Sequence, residues 1–172
     1  MTTETTKTTE RHGDTRFVPV DLDAHFDLCV RFRRDSFVCS FGHDREFEES
    51  GGAPTYLDWL RARMAAFRPG IVHAVRGDAI IGQIEMQVRG DEARVNLFYL
   101  TPEWRGTGAG QDLHAYVLAL LRRHGIETVD LVVSPTNARA IRYYEKHGWR
   151  RGEVVPGRDD LVIMRLDVAA AT

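Results

Sequence analysis

The chain has 172 residues, 43% of them hydrophobic and 28% charged, a balance that excludes a wholly disordered or fibrous protein. A length close to one typical domain of about 150 residues leads to the expectation of a single domain with its own core. Basic residues number 23 against 25 acidic, a net charge of −2, so the basic surplus of a nucleic-acid binder is missing.

No apolar run approaches the roughly 20 residues that span a bilayer, and Met1 to Thr9 carries no apolar signal-peptide segment. Residues 1–14 are polar and without periodicity, which predicts a disordered tail followed by one domain over 15–172. The two cysteines, Cys29 and Cys39, match no zinc or redox spacing, and the seven histidines show no paired ligand pattern, so no metal site is expected. A cytoplasmic protein is the default reading, with no nucleic-acid or membrane partner.

Phe17 to Val20 reads as a short strand. Leu22, Phe26, Cys29, Val30 and Phe37 recur at helical spacing and predict a helix over about 22–37. Ser40 to Ala53, with three glycines and several acids, reads as a loop. Leu57, Leu60, Met64 and Phe67 mark a second helix, with Pro54 near its first turn and Pro69-Gly70 ending it. Strands follow at about 71–76, 79–88 and 93–100, joined by the turns at Gly77-Asp78 and Arg89-Gly90-Asp91.

Leu113, Tyr116, Val117, Leu120 and Leu121 define a strong helix stopped by Gly125. A buried strand covers Thr128 to Val133. A last helix runs from about Ala138 to His147, with Asn137 as N-cap candidate and Gly148 past its end. One or two strands close the chain, one of them Leu161 to Leu166. This order gives a mixed α/β fold and excludes a regular doubly wound one.

Arg105-Gly-Thr-Gly-Ala-Gly110 joins a strand to the strong helix, with three glycines in six residues. Glycines let the backbone approach a ligand, and a helix N-terminus offers unsatisfied donors to a pyrophosphate. Neither the dinucleotide fingerprint nor the P-loop pattern is complete here. A glycine-rich helix start without a ligand would look the same. A second block, Asn137-x-x-Ala140-x-x-x-Tyr144-x-x-x-Gly148-Trp149, lies one helix and one strand downstream.

Together the two blocks resemble the GNAT superfamily of N-acetyltransferases, over about residues 93–150. The resemblance implies a mostly antiparallel central sheet with a splayed strand pair and helices on both faces. It also implies transfer of an acetyl group from acetyl-CoA, as co-substrate, to a primary amine by direct attack in a ternary complex. Backbone at Phe98, Tyr99 and Leu100 would pair with the pantetheine arm. The loop amides of Arg105, Gly106, Thr107, Gly108, Ala109 and Gly110 would hold the pyrophosphate. Asn137 would bind the pantetheine region, although a plain helix cap also places asparagine there.

Tyr144 aligns with the family tyrosine that protonates the departing thiolate, a phenol of pKa about 10 against about 8.5 for a thiol. Tyr143 is its competitor, and a buried core tyrosine is the bland reading of either. Glu85, alternating with Ile84 and Met86 on a strand, is the candidate base for the ammonium, or else a residue of a half-solvated strand face. The resemblance implies an amine pocket near the first two helices, where Asp35, Glu46, Glu48 and Glu49 are acids that would attract a cation, or else members of a solvated charged loop.

The acceptor is expected to be a small molecule, since no docking module is added to the chain. A protein N-terminal or lysine acetyltransferase and a non-catalytic CoA-binding module are the alternatives. A homodimer is compatible with exposed strand edges at the C-terminal end.

Overall fold

Leu22–Phe41 (α1), Gly52–Ala66 (α3) and Ala109–Arg123 (α4) are the three long helices of the computed structural model, which describes residues 9–172. Arg45–Glu49 (α2) and Ala138–Lys146 (α5) are short. The strands are Glu10–His12 (β1), Thr15–Pro19 (β2), Ile71–Arg76 (β3), Ala79–Arg89 (β4), Glu92–Leu100 (β5), Thr128–Val133 (β6), Arg150–Val155 (β7) and Arg158–Asp167 (β8). They form one sheet in the order β1-β2-β3-β4-β5-β6-β8-β7. Every neighbouring pair is antiparallel except β5 and β6.

Helices cover both faces because strand side chains alternate between them. On one face Leu113, Val117, Leu120 and Leu121 of α4 pack on Val72, Ile84, Met86, Val95, Leu131 and Met164. On the other, Cys29 of α1 and Tyr56 and Leu60 of α3 pack with Val20 and Ile71, while Phe32 of α1 packs on Leu97 and Tyr99. The side chain of Asp21 caps α1 by accepting from the amides of Asp23 and Ala24.

Several expected boundaries move. The helix expected to end near residue 37 runs to Phe41 and stops at Gly42, whose φ of 77° is the left-handed value a C-terminal glycine supplies. The expected loop from Ser40 to Ala53 contains α2, held down by Phe47, which is buried among Phe37 and Tyr56 and lies under the Arg34 guanidinium. Of the tail expected over residues 1–14, residues 1–8 lie outside the described residues. Glu10 to His12 pair antiparallel with Thr15 to Phe17, and the Glu10 carboxylate accepts two hydrogen bonds from Arg123 of α4.

Two features of β5 position the site. Its parallel pairing with β6 runs only from Glu92 opposite Thr128 to Val95 opposite Leu131. Beyond Val95, β5 stays with β4 and β6 stays with β8, so the two strands splay apart. At the same point Glu85 faces Leu97 while the next residue, Met86, faces Val95, which makes Asn96 the extra residue of a β-bulge. The bulge inverts the alternation. Ala93 and Val95 face α4, whereas Leu97 and Tyr99 face α1.

Candidate active site

The gap between the splayed strands opens into a cleft of about 740 Å³. Its walls are Val95 to Leu100 of β5, Leu131 to Val133 of β6, the glycine loop, the inner side of α5, and Ser36, Cys39 and Ser40 of α1. Phe98, Tyr99, Leu100, Arg105, Gly106, Gly108, Gly110, Asn137 and Tyr144 all line it, as does Arg139. Thr107 and Ala109 do not. The Thr107 hydroxyl turns back to donate to the Trp104 carbonyl at 2.7 Å, and Ala109 is fully buried as the first residue of α4.

Gly106 and Gly108 have φ of 75° and 90°, values a side chain would oppose. Gly110 answers a different need. A Cβ there would lie 3.2 Å from the ring of Tyr143, whose hydroxyl donates to the Gly110 carbonyl at 2.6 Å. Tyr143 therefore ties α5 to α4. The hydroxyl of Tyr144 has no hydrogen-bond partner among the described residues, while its ring packs edge-on to Phe98 and tilted against Trp149. Burial pushes the Tyr144 phenol above its ordinary pKa, so it keeps its proton at neutral pH. The Asn137 side chain accepts from the Ala140 amide at 3.3 Å and caps α5 while facing the cleft.

Arg105 is not aimed at the loop alone. Its Nε donates to the Leu100 carbonyl and its Nη2 to Asp35 of α1, both at 2.9 Å, and Tyr99 donates to the same Asp35 oxygen at 2.5 Å. The acids expected to draw in a cation mostly have arginine partners: Asp35 with Arg105, Glu46 with Arg158, and Glu48 with Arg34. Only Glu49 of those four has no ion pair among the described residues.

Glu85 is fully buried and does not line the cleft. It lies opposite Leu97 on β5, on the side of the sheet that faces α1. Tyr56 donates to its Oε1, and Gln83 Nε2 does so at 2.8 Å. Its Oε2 has no hydrogen bond among the described residues and lies 3.5 Å from Nη1 of Arg33. That same Nη1 donates to the carbonyl of Asn96, the bulged residue, at 2.8 Å. Burial raises the Glu85 carboxyl above the usual carboxylate range, against the pull of Arg33, Tyr56 and Gln83.

His73 donates from Nε2 to Gln83 Oε1 at 2.8 Å, the tautomer fixed by an acceptor that cannot donate. Burial lowers its pKa to about 4. Sequence reading named neither Tyr56, Gln83, Arg33 nor His73 for this cluster. The alternation of Gln83 and Glu85 on one strand was its one visible sign. Among the described residues no group of three or more His, Cys, Asp or Glu is arranged to hold a metal ion.

The Acetyltransferase (GNAT) family profile matches residues 31–149. The chain belongs to the GNAT family. Its matched region runs from α1 to the end of α5 and so contains the splayed strands, the glycine loop and Tyr144. A curated relative, the mycothiol acetyltransferase of Thermobispora bispora, is 34% identical over 92 residues, which are 49% of this chain and 31% of that one. The [ribosomal protein bS18]-alanine N-acetyltransferase of Escherichia coli is 30% identical over 90 residues, 48% of this chain and 61% of that one.

Among solved GNAT structures, the PaiA N-acetyltransferase of Thermoplasma acidophilum in complex with coenzyme A superposes with a TM-score of 0.72 at 20% identity, over 90% of this chain and 99% of that one. The spermidine N-acetyltransferase of Vibrio cholerae, in complex with CoA and spermine, gives 0.70 at 16% identity, over 92% and 98%. At these identities the structural likeness establishes the fold. It is a GNAT fold, mixed α/β, with the mostly antiparallel sheet and splayed pair described above.

Proposed function

We propose that this protein is a cytoplasmic N-acetyltransferase, with one catalytic domain over residues 15–172, that moves an acetyl group from acetyl-CoA to a primary amine of a small molecule. The observation that carries the reading is the splayed β5–β6 cleft with a glycine loop at one end and, on its wall, a Tyr144 hydroxyl that has no partner among the described residues. Backbone of Phe98 to Leu100 is left without a β6 partner and is free to pair with an extended pantetheine arm. The amides of Gly106, Gly108 and Gly110 at the N-terminus of α4 suit a pyrophosphate, and Arg139 and Lys146 add cations on the α5 wall.

In this reading the amine nitrogen attacks the thioester carbonyl carbon and the carbon–sulfur bond breaks. Tyr144 gives its proton to the departing sulfur. Glu85 takes the proton that the amine loses. Being buried on β4 away from the cleft wall, it does so through water, and its Oε2, which has no hydrogen bond among the described residues, is the atom that receives it. Neutral small side chains, Ser36, Cys39 and Ser40, form the α1 wall where the acceptor would lie. A spermidine enzyme shares the fold and a bS18-alanine enzyme shares sequence, so both small-molecule and peptide acceptors belong in the test.

Thiol release from acetyl-CoA, followed with polyamines, aminoglycosides, amino acids and peptides with free N-termini, tests the reading. Release with a small amine and none with peptides is the expected outcome. Release only with peptides would replace the acceptor class. Tight CoA binding with no release by any amine would favour a CoA-binding module.

A further inference from the structure

Asp35 joins three parts of the molecule through one carboxylate. It sits on α1, next to Ser36 on the cleft wall, and its Oδ2 takes both the Tyr99 hydroxyl at 2.5 Å and Nη2 of Arg105 at 2.9 Å. Tyr99 belongs to the unpaired end of β5, and Arg105 is the first residue of the glycine loop. Arg105 is further fixed by its bond to the Leu100 carbonyl and by its place over the Tyr99 ring, 5.3 Å from the centroid. These groups are 64 and 70 residues from Asp35 in sequence. No hydrogen bond is made by Asp35 Oδ1 or by Arg105 Nη1 among the described residues.

We infer that Asp35 is a positioning residue that couples filling of the glycine loop to the placement of α1, the acceptor wall. The inference rests on the reading of that loop as the CoA pyrophosphate site. A pyrophosphate held by the loop amides places negative charge beside Arg105. The guanidinium can meet it with Nη1 while Nη2 holds Asp35, because the planar fork presents its donors on separate edges. The loop, the end of β5 and α1 then form one connected unit, and a ligand that orders the loop also orders α1. Coupling of this kind is reciprocal, so an acceptor seated against α1 tightens CoA.

Two groups meet on one carboxylate, and the helix that carries it has no other side-chain link to the glycine loop among the described residues. Elsewhere α1 is tied through Arg33 to the bulge carbonyl, through Arg34 to Asp44 and to Glu48 of α2, and through its Ser40 carbonyl to the Thr136 hydroxyl, and none of these reaches the glycine loop. Among the described residues, the Asp35–Arg105 pair is the side-chain link from α1 to the glycine loop.

The test is amide hydrogen exchange of α1 with and without CoA, in the wild type, Asp35→Asn and Asp35→Glu. CoA is expected to slow exchange over the second half of α1 about fivefold in the wild type. In Asp35→Asn, which keeps an acceptor for Tyr99 but loses the ion pair, slowing should drop below twofold, with exchange before CoA within twofold of the wild type. Asp35→Glu should restore most of it. Slowing that survives in Asp35→Asn would mean that α1 responds by direct contact and would overturn the inference. So would an α1 that exchanges freely in Asp35→Asn before CoA is added, since the role would then be structural. A wild-type protein that does not bind CoA at all would instead remove the cofactor reading beneath it.

Discussion

Two adjacent tyrosines on α5 do different work because consecutive residues on a helix point about 100° apart. Tyr143 is turned onto α4, with its hydroxyl on the Gly110 carbonyl. Tyr144 lies on the cleft wall against Phe98 of the splayed strand, its hydroxyl without a hydrogen-bond partner among the described residues. Tyr144→Phe removes one oxygen and no packing. It should lower turnover by about 100-fold, the scale of a single proton donor, and leave CoA affinity within about twofold. Unchanged turnover would take Tyr144 out of the reaction. Tyr143→Phe is the control, since its hydroxyl already has a structural partner.

Glu85 is a residue-scale question of a second kind, because its carboxylate is fully buried yet keeps one oxygen without a hydrogen bond among the described residues. Burial raises its pKa, and a base must be unprotonated, so the acid limb of the kcat/KM profile should rise above the usual carboxylate range. Glu85→Gln keeps an oxygen acceptor for Tyr56 and Gln83. It is expected to lower the rate and remove that limb. An unmoved limb would assign the base elsewhere.

At the scale of elements, what could be read from the chain was local. The glycine loop, the Asn137 cap and Tyr144 lie within short stretches whose spacing is itself the signal. The strands β3 to β6 were readable as continuous apolar or alternating runs. The short helix α2 was not, because five residues with the single apolar side chain Phe47 cannot show a helical period. β7 reads as a polar run because it is an edge strand, exposed along nearly its whole length. The Asn96 bulge was also invisible: alternation continues on both sides of it and only the facing β4 register reveals the slip. Tyr56 to Glu85 and Asp35 to Arg105 lie 29 and 70 residues apart, and only the sheet and helix packing brings them together.

For the whole molecule, two buried histidines on opposite sides of the sheet set how stability changes with acid. His73 lies on the α1 side, bonded to Gln83. His114 lies on the α4 side and accepts from Trp149 Nε1 at 3.3 Å, a bond that only a neutral imidazole can take at Nε2. Burial lowers both pKa values to about 4 from the ordinary 6.5, helped at His114 by nearby His147 and Arg122. Between those values the unfolded chain binds the protons and the folded chain does not. The stability from each histidine is thus fully present above about 6.5 and is lost as the pH falls towards 4, at up to about 1.4 kcal/mol per pH unit for each.

Glu85 acts with the opposite sign, because its raised pKa lets the folded state bind a proton first, and it partly offsets the loss. His114→Gln separates these contributions. Glutamine keeps an acceptor for Trp149 but does not titrate. Denaturant unfolding at pH 6.5 and 5 should show the wild type losing stability, with the variant's slope shallower by about 1 kcal/mol per pH unit. A variant with the wild-type slope would mean that His114 is reached by water and titrates in the folded protein as freely as in the unfolded chain.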